Sequence, residues 1–267
     1  MQEEQWLVIR DWFRDYGTGF AGPDGKLHAM LQRKAQHSRR VAANAAEIAR
    51  ESGAAPGEVL FVQTAGLLHD VGRFPQFRDY GTFSDPRSVD HGERGFAALC
   101  EDPAFVQLDL PGRSDLLASV RYHNKRVLPE NLTPSERRLT DIVRDADKLD
   151  IFKVILDALE NGDFEKNDLV FLHVAPEGPP NPAIVDCIRQ GRTASYTDIR
   201  NRTDFGLQLL SWAFDLTYAA TCRRLLERGL FDAIIARLPD YPGVRDSAAL
   251  ARQQLVRRCD AETKGTA

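Results

Sequence analysis

Apolar residues recur every three or four positions along almost the whole chain, and no convincing set of alternating strands is present. This spacing is typical of amphipathic helices that pack one face against a core. The sequence therefore predicts an all-α protein. The predicted helices cover residues 3–16, 26–52, 56–71, 133–162, 203–228 and 230–238, with others opening near Ser88 and Ser114 and one more in the tail after Asp240.

Glycine and proline residues mark the ends of several predicted helices. Gly72 and Pro75 are expected to stop the third helix, and residues 74–86 are then expected to form a loop. The long helix that follows residue 133 opens with a capping box, Thr-Pro-Ser-Glu, which has proline at the first helical position.

Several histidine and aspartate side chains lie on the apolar faces or at the ends of these helices. In chain order they are His37, His69, Asp70, His91, His123 and Asp147. His37 begins an apolar stripe that continues at Val41 and Ala45. His28 lies half a turn from His37, at about 100° per residue, and is left out of the set. Because a buried polar or charged group costs several kcal/mol unless it is paired or binds a metal, the set predicts one or two divalent cations.

Composition and charge exclude several classes of protein. The chain has 267 residues, of which 43% are hydrophobic and 28% charged, and its formal net charge is −4. These values are typical of a globular protein and disfavour long nucleic acids as partners. No spanning apolar run and no signal-peptide pattern is present, so we expect a cytoplasmic protein with no membrane partner. The four cysteines form no CxxC pair, which argues against a disulfide framework or a structural zinc site.

One apparent nucleotide-binding motif is interpreted as a connector. Residues 17–22 match the pattern GxGxxG, but no strand precedes them and no helix opens directly after them. We therefore predict a flexible glycine-rich segment there, and we assign it no ligand.

Three segments carry a resemblance to a known family. They are residues 66–73 (GLLHDVGR), 89–91 (VDH) and 144–150 (RDADKLD). Together with His37, these segments resemble bacterial members of the HD superfamily of metal-dependent phosphohydrolases, over roughly residues 26–160. The resemblance implies an HD-like helical bundle with additional C-terminal helices packed on it.

The same resemblance implies how the ligands divide between two metals. The first metal would be held by His37, His69, Asp70 and Asp147. Asp70 would bridge to a second metal held by His91 and His123, and the presence of both histidines favours two ions. Nitrogen and carboxylate ligands suit Fe, Mn, Co, Ni or Zn, so the identity of the ion stays open. Asp150, nearby on the same side of its helix, is expected either to hydrogen-bond to a metal ligand or to form a salt bridge.

The implied activity is hydrolysis of a small phosphate ester, such as a nucleotide, by a metal-activated hydroxide. Arg73 and Lys148 are the first choices as donors to the developing negative charge, beside Asp70 as the catalytic ligand, whereas Lys125 and Arg126 are weaker candidates. The chain lacks the Gly-Tyr-Pro signature of cyclic dinucleotide phosphodiesterases. It also carries Arg-Phe where alarmone hydrolases carry Glu-Asp, so both of those activities are disfavoured.

Two other functions remain open from the sequence. Some HD members bind two irons through the same six ligands and use oxygen to cleave C–C or C–P bonds. A third interpretation is a regulatory module that binds a nucleotide without turnover. The sequence does not decide between these functions, and it leaves the oligomeric state open.

The predicted domain organisation has three parts. Residues 1–25 form the N-terminal helix and connector, residues 26–162 form the metal-binding core, and residues 163–267 form a helical extension. We expect the extension to belong to the same compact domain as the core.

Overall fold

Helices are the regular elements of the computed structural model, which describes residues 1–160 and 174–260. No strand occurs in these two ranges, where residues 175 and 201 form one isolated bridge. The predicted all-α class is confirmed. The chain divides into two compact units, Met1–Asp150 and Ile151–Ala267. The predicted three-part organisation stays a prediction.

The first unit contains the helices that carry the candidate ligands. These helices are α1 (Glu3–Thr18), α2 (Ala29–Glu51), α3 (Pro56–Leu68), α4 (Arg73–Tyr80), α5 (His91–Glu101), α6 (Pro103–Val106), α7 (Arg113–Tyr122) and the first part of α8 (Pro134–Glu160). Phe13, Phe74 and Phe105 are among the largest fully buried side chains of this unit. The predicted end of α8 at residues 161–162 lies outside the described residues.

The second unit contains the rest of α8 and five later helices. They are α9 (Pro182–Arg189), α10 (Arg202–Ser211), α11 (Ala219–Glu227), α12 (Leu230–Ile235) and α13 (Val244–Cys259). The single helix predicted over residues 203–228 was wrong, because the chain breaks between α10 and α11. The guanidinium of Arg258 donates hydrogen bonds to the carbonyl oxygens of Phe214 and Leu216 within the break. This donor replaces the helical partners that those carbonyls would otherwise need.

The region around the histidine-aspartate pair differs from the prediction. Helix α3 ends at Leu68, and residues 69–72 form a turn into α4, so the loop predicted over residues 74–86 is helical up to Tyr80. Pro75 does not stop the helix because it is the third residue of α4. The backbone N–H groups of a first helical turn have no partner within the helix, so proline loses nothing there.

Two helix starts also differ from their predicted positions. The helix predicted to open near Ser88 begins at His91, and Asp90 caps it by accepting hydrogen bonds from the backbone of Gly92 and Glu93. The cap of α7 is Gly112, with φ of 76°, so it is not Ser114. The capping box at α8 is confirmed, since the N–H groups and side-chain oxygens of Thr133 and Glu136 pair reciprocally.

Small residues allow α2 and α3 to approach closely. A Cβ added to Gly66 would lie only 3.0 Å from the Cα of Ala42 on the neighbouring helix. This close approach brings His37, on α2, near the turn that follows α3. No helix in the described part of the chain is long and apolar enough to cross a membrane.

Candidate metal centre

The carboxylate of Asp70 lies at the centre of a buried group of histidines, in the turn between α3 and α4. Its Oδ2 is 3.6 Å from Nε2 of both His37 and His69. Its Oδ1 is 3.5 Å from Nε2 of His91 and 3.7 Å from Nε2 of His123. Each oxygen of one carboxylate therefore faces a different pair of imidazoles.

Asp147 joins the first of these groups. It projects from α8, and its Oδ1 is 3.0 Å from Nε2 of His37 and 3.7 Å from Nε2 of His69. The side chain of Asp147 is 21% exposed, whereas His37, His69 and Asp70 are buried. Asp147 is thus the most solvent-exposed member of this first group.

The second group consists of His91, His123 and the other oxygen of Asp70. His91 is the first residue of α5, and His123 caps the C-terminal end of α7. Their Nε2 atoms lie 3.1 Å apart. His37, His69 and Asp70 form one set close enough to hold a cation, and Asp70, His91 and His123 form another.

Backbone carbonyls fix the orientation of two of the imidazoles. His69 Nδ1 lies 2.8 Å from the carbonyl oxygen of Gly66, and His123 Nδ1 lies 2.8 Å from that of Val120. Because a carbonyl oxygen only accepts, each Nδ1 carries the hydrogen and donates it. The Nε2 atom of each ring is therefore the one that presents a lone pair to Asp70.

Carboxylates fix the other two imidazoles in the same way. His37 Nδ1 lies 2.6 Å from Asp150 Oδ2, and His91 Nδ1 lies 2.6 Å from Asp85 Oδ2. Arg40 donates to both oxygens of Asp150 at 2.7 and 2.9 Å, which holds that carboxylate in place. A carboxylate behind a histidine is a frequent arrangement at metal sites, where it orients the ring and raises its basicity.

Burial keeps two of the imidazoles uncharged. It lowers the pKa of His69 to about 4 and, with the nearby charge of Arg73, the pKa of His91 to about 3. Burial opposes ionisation of Asp70 as well, but the positive charges of Lys34 and Arg73 hold the pKa of that carboxyl well below its usual range. The centre therefore contains ionised carboxylates beside neutral His69 and His91 at neutral pH. Burial also opposes the charged form of His37, but its hydrogen bonds to Asp147 and Asp150 raise the pKa of that imidazole.

At the centre, histidine Nε2 atoms and carboxylate oxygens face one another without enough donated hydrogens to satisfy them. Bound cations would provide the positive charge that these atoms need. The buried Nε2 of His69 has no hydrogen-bond partner among the described residues. The Nε2 atoms of His91 and His123 face each other although each Nδ1 already lies against an acceptor. The residues present fit divalent transition metals bound through nitrogen and oxygen, and the cysteines take no part in the sets close enough to hold a cation.

Removal of bound ions should therefore lower the thermal stability of the protein. Ions that bind only the folded state stabilise it by about 4 kcal/mol per site at a concentration of 1,000 times Kd. We expect a chelator to lower Tm by at least about 5 °C, measured by calorimetry. The variant Asp70→Asn should show no such shift, and equal melting of the native protein with and without chelator would contradict ion binding.

The proposed charge-stabilising residues occupy different positions. Arg73 Nη1 donates to Asp85 at 2.9 Å, to Gln76 at 2.9 Å and to the carbonyl of Phe83 at 2.5 Å, while its Nε is 3.4 Å from Asp70 Oδ1. Lys148 is buried on α8 beside Asp147, and its catalytic role stays a prediction.

The described contacts of Lys125 and of the excluded His28 do not include Asp70. Lys125 is paired with Asp90, and Arg126 is exposed. His28 is exposed at the start of α2, where its Nδ1 accepts a hydrogen bond from the backbone of Met30. This cap accounts for His28 without a metal.

Two residues at the centre were not found from the sequence. Lys34 Nζ lies 2.8 Å from Asp70 Oδ2, and Asp85 supports His91. Lys34 precedes His37 by three residues, so helical spacing alone places it on the same face and could have identified it. Asp85 lies outside the long helices, and the pattern around it gave no comparable signal.

One comparison with known proteins gives a match, and it covers the part of the chain that carries the candidate ligands. The family model described as HD domain matches residues 35–152, a range that includes all six candidate ligands and Asp150. No curated protein and no solved structure shows a significant match to the chain.

Proposed function

Because the chain belongs to the HD-domain superfamily through residues 35–152, we propose that it is a metal-dependent hydrolase of a small phosphate ester, such as a nucleotide. The observation that carries this proposal is the geometry of Asp70. Its two buried oxygens each face a separate pair of imidazole Nε2 atoms at 3.5 to 3.7 Å. Such a carboxylate is suited to bridge two cations.

Within this proposal the protein supplies the ligands and the metal supplies the reactivity. When bound, a pair of divalent cations lowers the pKa of a shared water and neutralises phosphoryl oxygens. His37, His69, Asp70 and Asp147 would hold one cation. His91 and His123 would hold the other through the second oxygen of Asp70. The hydrogen bonds that each Nδ1 donates keep the four rings in the orientation that binding requires.

Arg73 is the proposed donor to the substrate. Three acceptors fix its Nη1, whereas its Nε lies 3.4 Å from Asp70 Oδ1 without a hydrogen-bond partner among the described residues. Nη2 and Nε are therefore the nitrogens proposed to donate to a phosphoryl oxygen. A fixed guanidinium needs little reorganisation when negative charge develops on the substrate. Lys34, 24% exposed and beside Asp70, adds a second positive charge at the same place. We keep Lys148 as a further proposed donor.

The surroundings of the centre favour a small substrate. Four of the six candidate ligands are histidines that are buried, and the partly exposed side chains around them are Lys34, Asp85 and Asp147. Partly exposed side chains of both charges suit a single phosphoryl group better than a long polyanion. The net charge of −4 agrees with this choice.

The test combines metal analysis with an activity assay. Purified protein is analysed for transition metals and assayed on an aryl phosphate and a nucleotide panel with added Mn, Co or Ni. We expect bound metal, and turnover that is equal in air and under anaerobic conditions. Absence of both metal and turnover would overturn the proposal. Substrate-dependent oxygen uptake, or tight nucleotide binding without product, would favour one of the other two functions.

Replacing His123 with alanine should separate the two cations. The change removes one of two imidazoles at the second group and leaves His37, His69 and Asp147 in place. We expect the second ion to bind at least about tenfold more weakly, a loss of about 1.4 kcal/mol, while the first is retained. Metal content after gel filtration measures this loss. His28→Ala, at an exposed histidine, should keep both ions. A His123→Ala protein that also retained both would show that His123 is not a ligand.

A further inference from the structure

The carboxylate of Asp85 accepts hydrogen bonds from both His91 and Arg73 at the second cation group. No pattern in the sequence indicated this residue. We propose that Asp85 is a positioning residue that forms the second cation site, because it fixes the ligand His91 and the donor Arg73 at the same time. The proposal rests on the proposed function, since it assigns a role within the same two-cation centre.

The carboxylate of Asp85 uses both of its oxygens. Oδ1 accepts hydrogen bonds from Arg73 Nη1 and Gln76 Nε2, each at 2.9 Å. Oδ2 accepts from His91 Nδ1 at 2.6 Å and from Asn124 Nδ2 at 3.3 Å. Every one of these neighbours is a donor, so only a group with two acceptor oxygens satisfies them all.

The contact with His91 determines how that ring meets Asp70. With Nδ1 donating to Asp85, Nε2 is the atom that points to Asp70 Oδ1 at 3.5 Å. A charged acceptor behind the ring also makes Nε2 a stronger ligand, and loss of such a partner typically costs 10- to 100-fold in metal affinity. Asp85 therefore controls both the direction and the strength of this ligand.

The contact with Arg73 determines where the guanidinium lies. Arg73 is one turn away from Asp70 on the chain, and without Asp85 its strongest acceptor would be Asp70 itself. A guanidinium that turned fully to Asp70 Oδ1 would compete with a cation for that oxygen. By accepting a hydrogen bond from Nη1, Asp85 keeps the guanidinium near the second group. Asp70 Oδ1 then stays available to a cation.

A buried amide keeps Asp85 in this position. Gln76 on α4 is fully buried, and its Nε2 lies within 3.0 Å of Asp85 Oδ1, Ser88 Oγ and the carbonyl oxygen of Val89. These contacts tie the segment before α5 to α4. The side chain of Asp85 is 27% exposed, so this carboxylate is partly accessible to solvent.

Each cation group has a supporting carboxylate, Asp150 behind His37 and Asp85 behind His91. The two carboxylates differ in how firmly the surrounding backbone holds them. Asp150 supports His37 from within the long helix α8 and is buried. Asp85 supports His91 from a short 3₁₀ turn, Asp85–Arg87, between α4 and α5. Loss of Asp85 should therefore affect the second group alone.

The test is the variant Asp85→Asn, studied in the full chain. Asparagine has one acceptor oxygen, so its NH₂ group must face either Arg73 or His91, both of which are donors. We expect the affinity of the second ion to fall 10- to 100-fold while that of the first changes less than about twofold. Titration with Mn²⁺ followed by electron paramagnetic resonance distinguishes the two, because a coupled pair of ions gives a signal that a single ion lacks.

A matched control and a second variant keep the result clear. Asp79→Asn removes an exposed carboxylate that pairs with Arg78 and Arg94, and it should keep the coupled signal. If Asp85→Asn does not fold, Asp85→Ser removes the charge without placing an amide N–H against Arg73. For the folded variant we also expect a higher KM for an aryl phosphate, since Arg73 is no longer held.

The outcomes separate this inference from the proposed function. A native protein that binds no ions and turns over no phosphate ester would overturn the proposed function. A native protein with two ions, together with an Asp85→Asn variant that binds both with unchanged affinity, would overturn the inference alone. Loss of both ions in the variant would overturn it too, because the first group would then depend on Asp85.

Discussion

Replacing Asp70 with alanine is expected to abolish binding of both cations and to lower kcat/KM for a phosphate ester by at least about 10⁴-fold, the scale of losing a central catalytic group. The reason is that Asp70 is the only residue present in both sets that can hold a cation within the described parts of the chain. Metal content of the purified variant and steady-state kinetics measure the two losses. Loss of either single histidine of the second group should be milder.

A buried carboxylate at the centre raises the question of whether such a variant folds. Asp70→Asn keeps the size of the side chain and removes its charge, so we expect it to fold, to bind at most one ion weakly and to be inactive. Asp79→Asn, an exposed replacement of the same type, should retain metal and activity. An Asp70→Asn protein with two tightly bound ions would mean that Asp70 is not the bridging ligand.

Replacing Gly72 with alanine is expected to destabilise the protein by about 3 kcal/mol, which lowers Tm by about 10 °C. A Cβ at this position would overlap the carbonyl oxygen of His91 and would lie 2.5 Å from the backbone nitrogen of Gly95. Both of those atoms belong to the backbone of α5, so no side-chain rotation removes the overlap. Because α5 begins at His91, a shift of this helix should also weaken the second ion.

Gly19 provides the matched control for this variant. Its backbone is in the same right-handed region, with φ of −61° against −65° at Gly72, and it is exposed. Gly19→Ala should change Tm by less than about 1 °C, since surface replacements have small effects. Calorimetry and metal analysis of both variants measure the effect. A Gly72→Ala protein as stable as the native one would show that α5 moves at little cost.

The apolar pattern predicted the helical class and the sites of most helices because helices are local. A stripe of apolar residues that repeats every three or four positions has one physical interpretation, and α2, with His37 on its buried face, follows it. The errors fall where local signals compete with a tertiary partner. Pro75 was interpreted as a stop, whereas the structure places it in a first helical turn where proline is tolerated.

The candidate ligands were identified from the sequence because polar groups on buried faces need a shared partner. Resemblance to the HD superfamily divided them between two ions, and the family match over residues 35–152 supports the membership on which that division rests. The division itself stays a prediction. It agrees with the way the two oxygens of Asp70 face separate pairs of histidines.

The sequence by itself predicted the all-α class, the resemblance to the HD superfamily, and Asp70 with the five other candidate ligands, since each of these depends on spacing or on residue type. Only the tertiary structure decided what holds those residues in place. Asp85 reaches His91 from outside the long helices, Gly72 makes room for α5, and Arg258 binds a break in the second unit 42 residues before it. Such contacts join positions whose separation along the chain carries no periodic signal, so they exist only once the chain has folded.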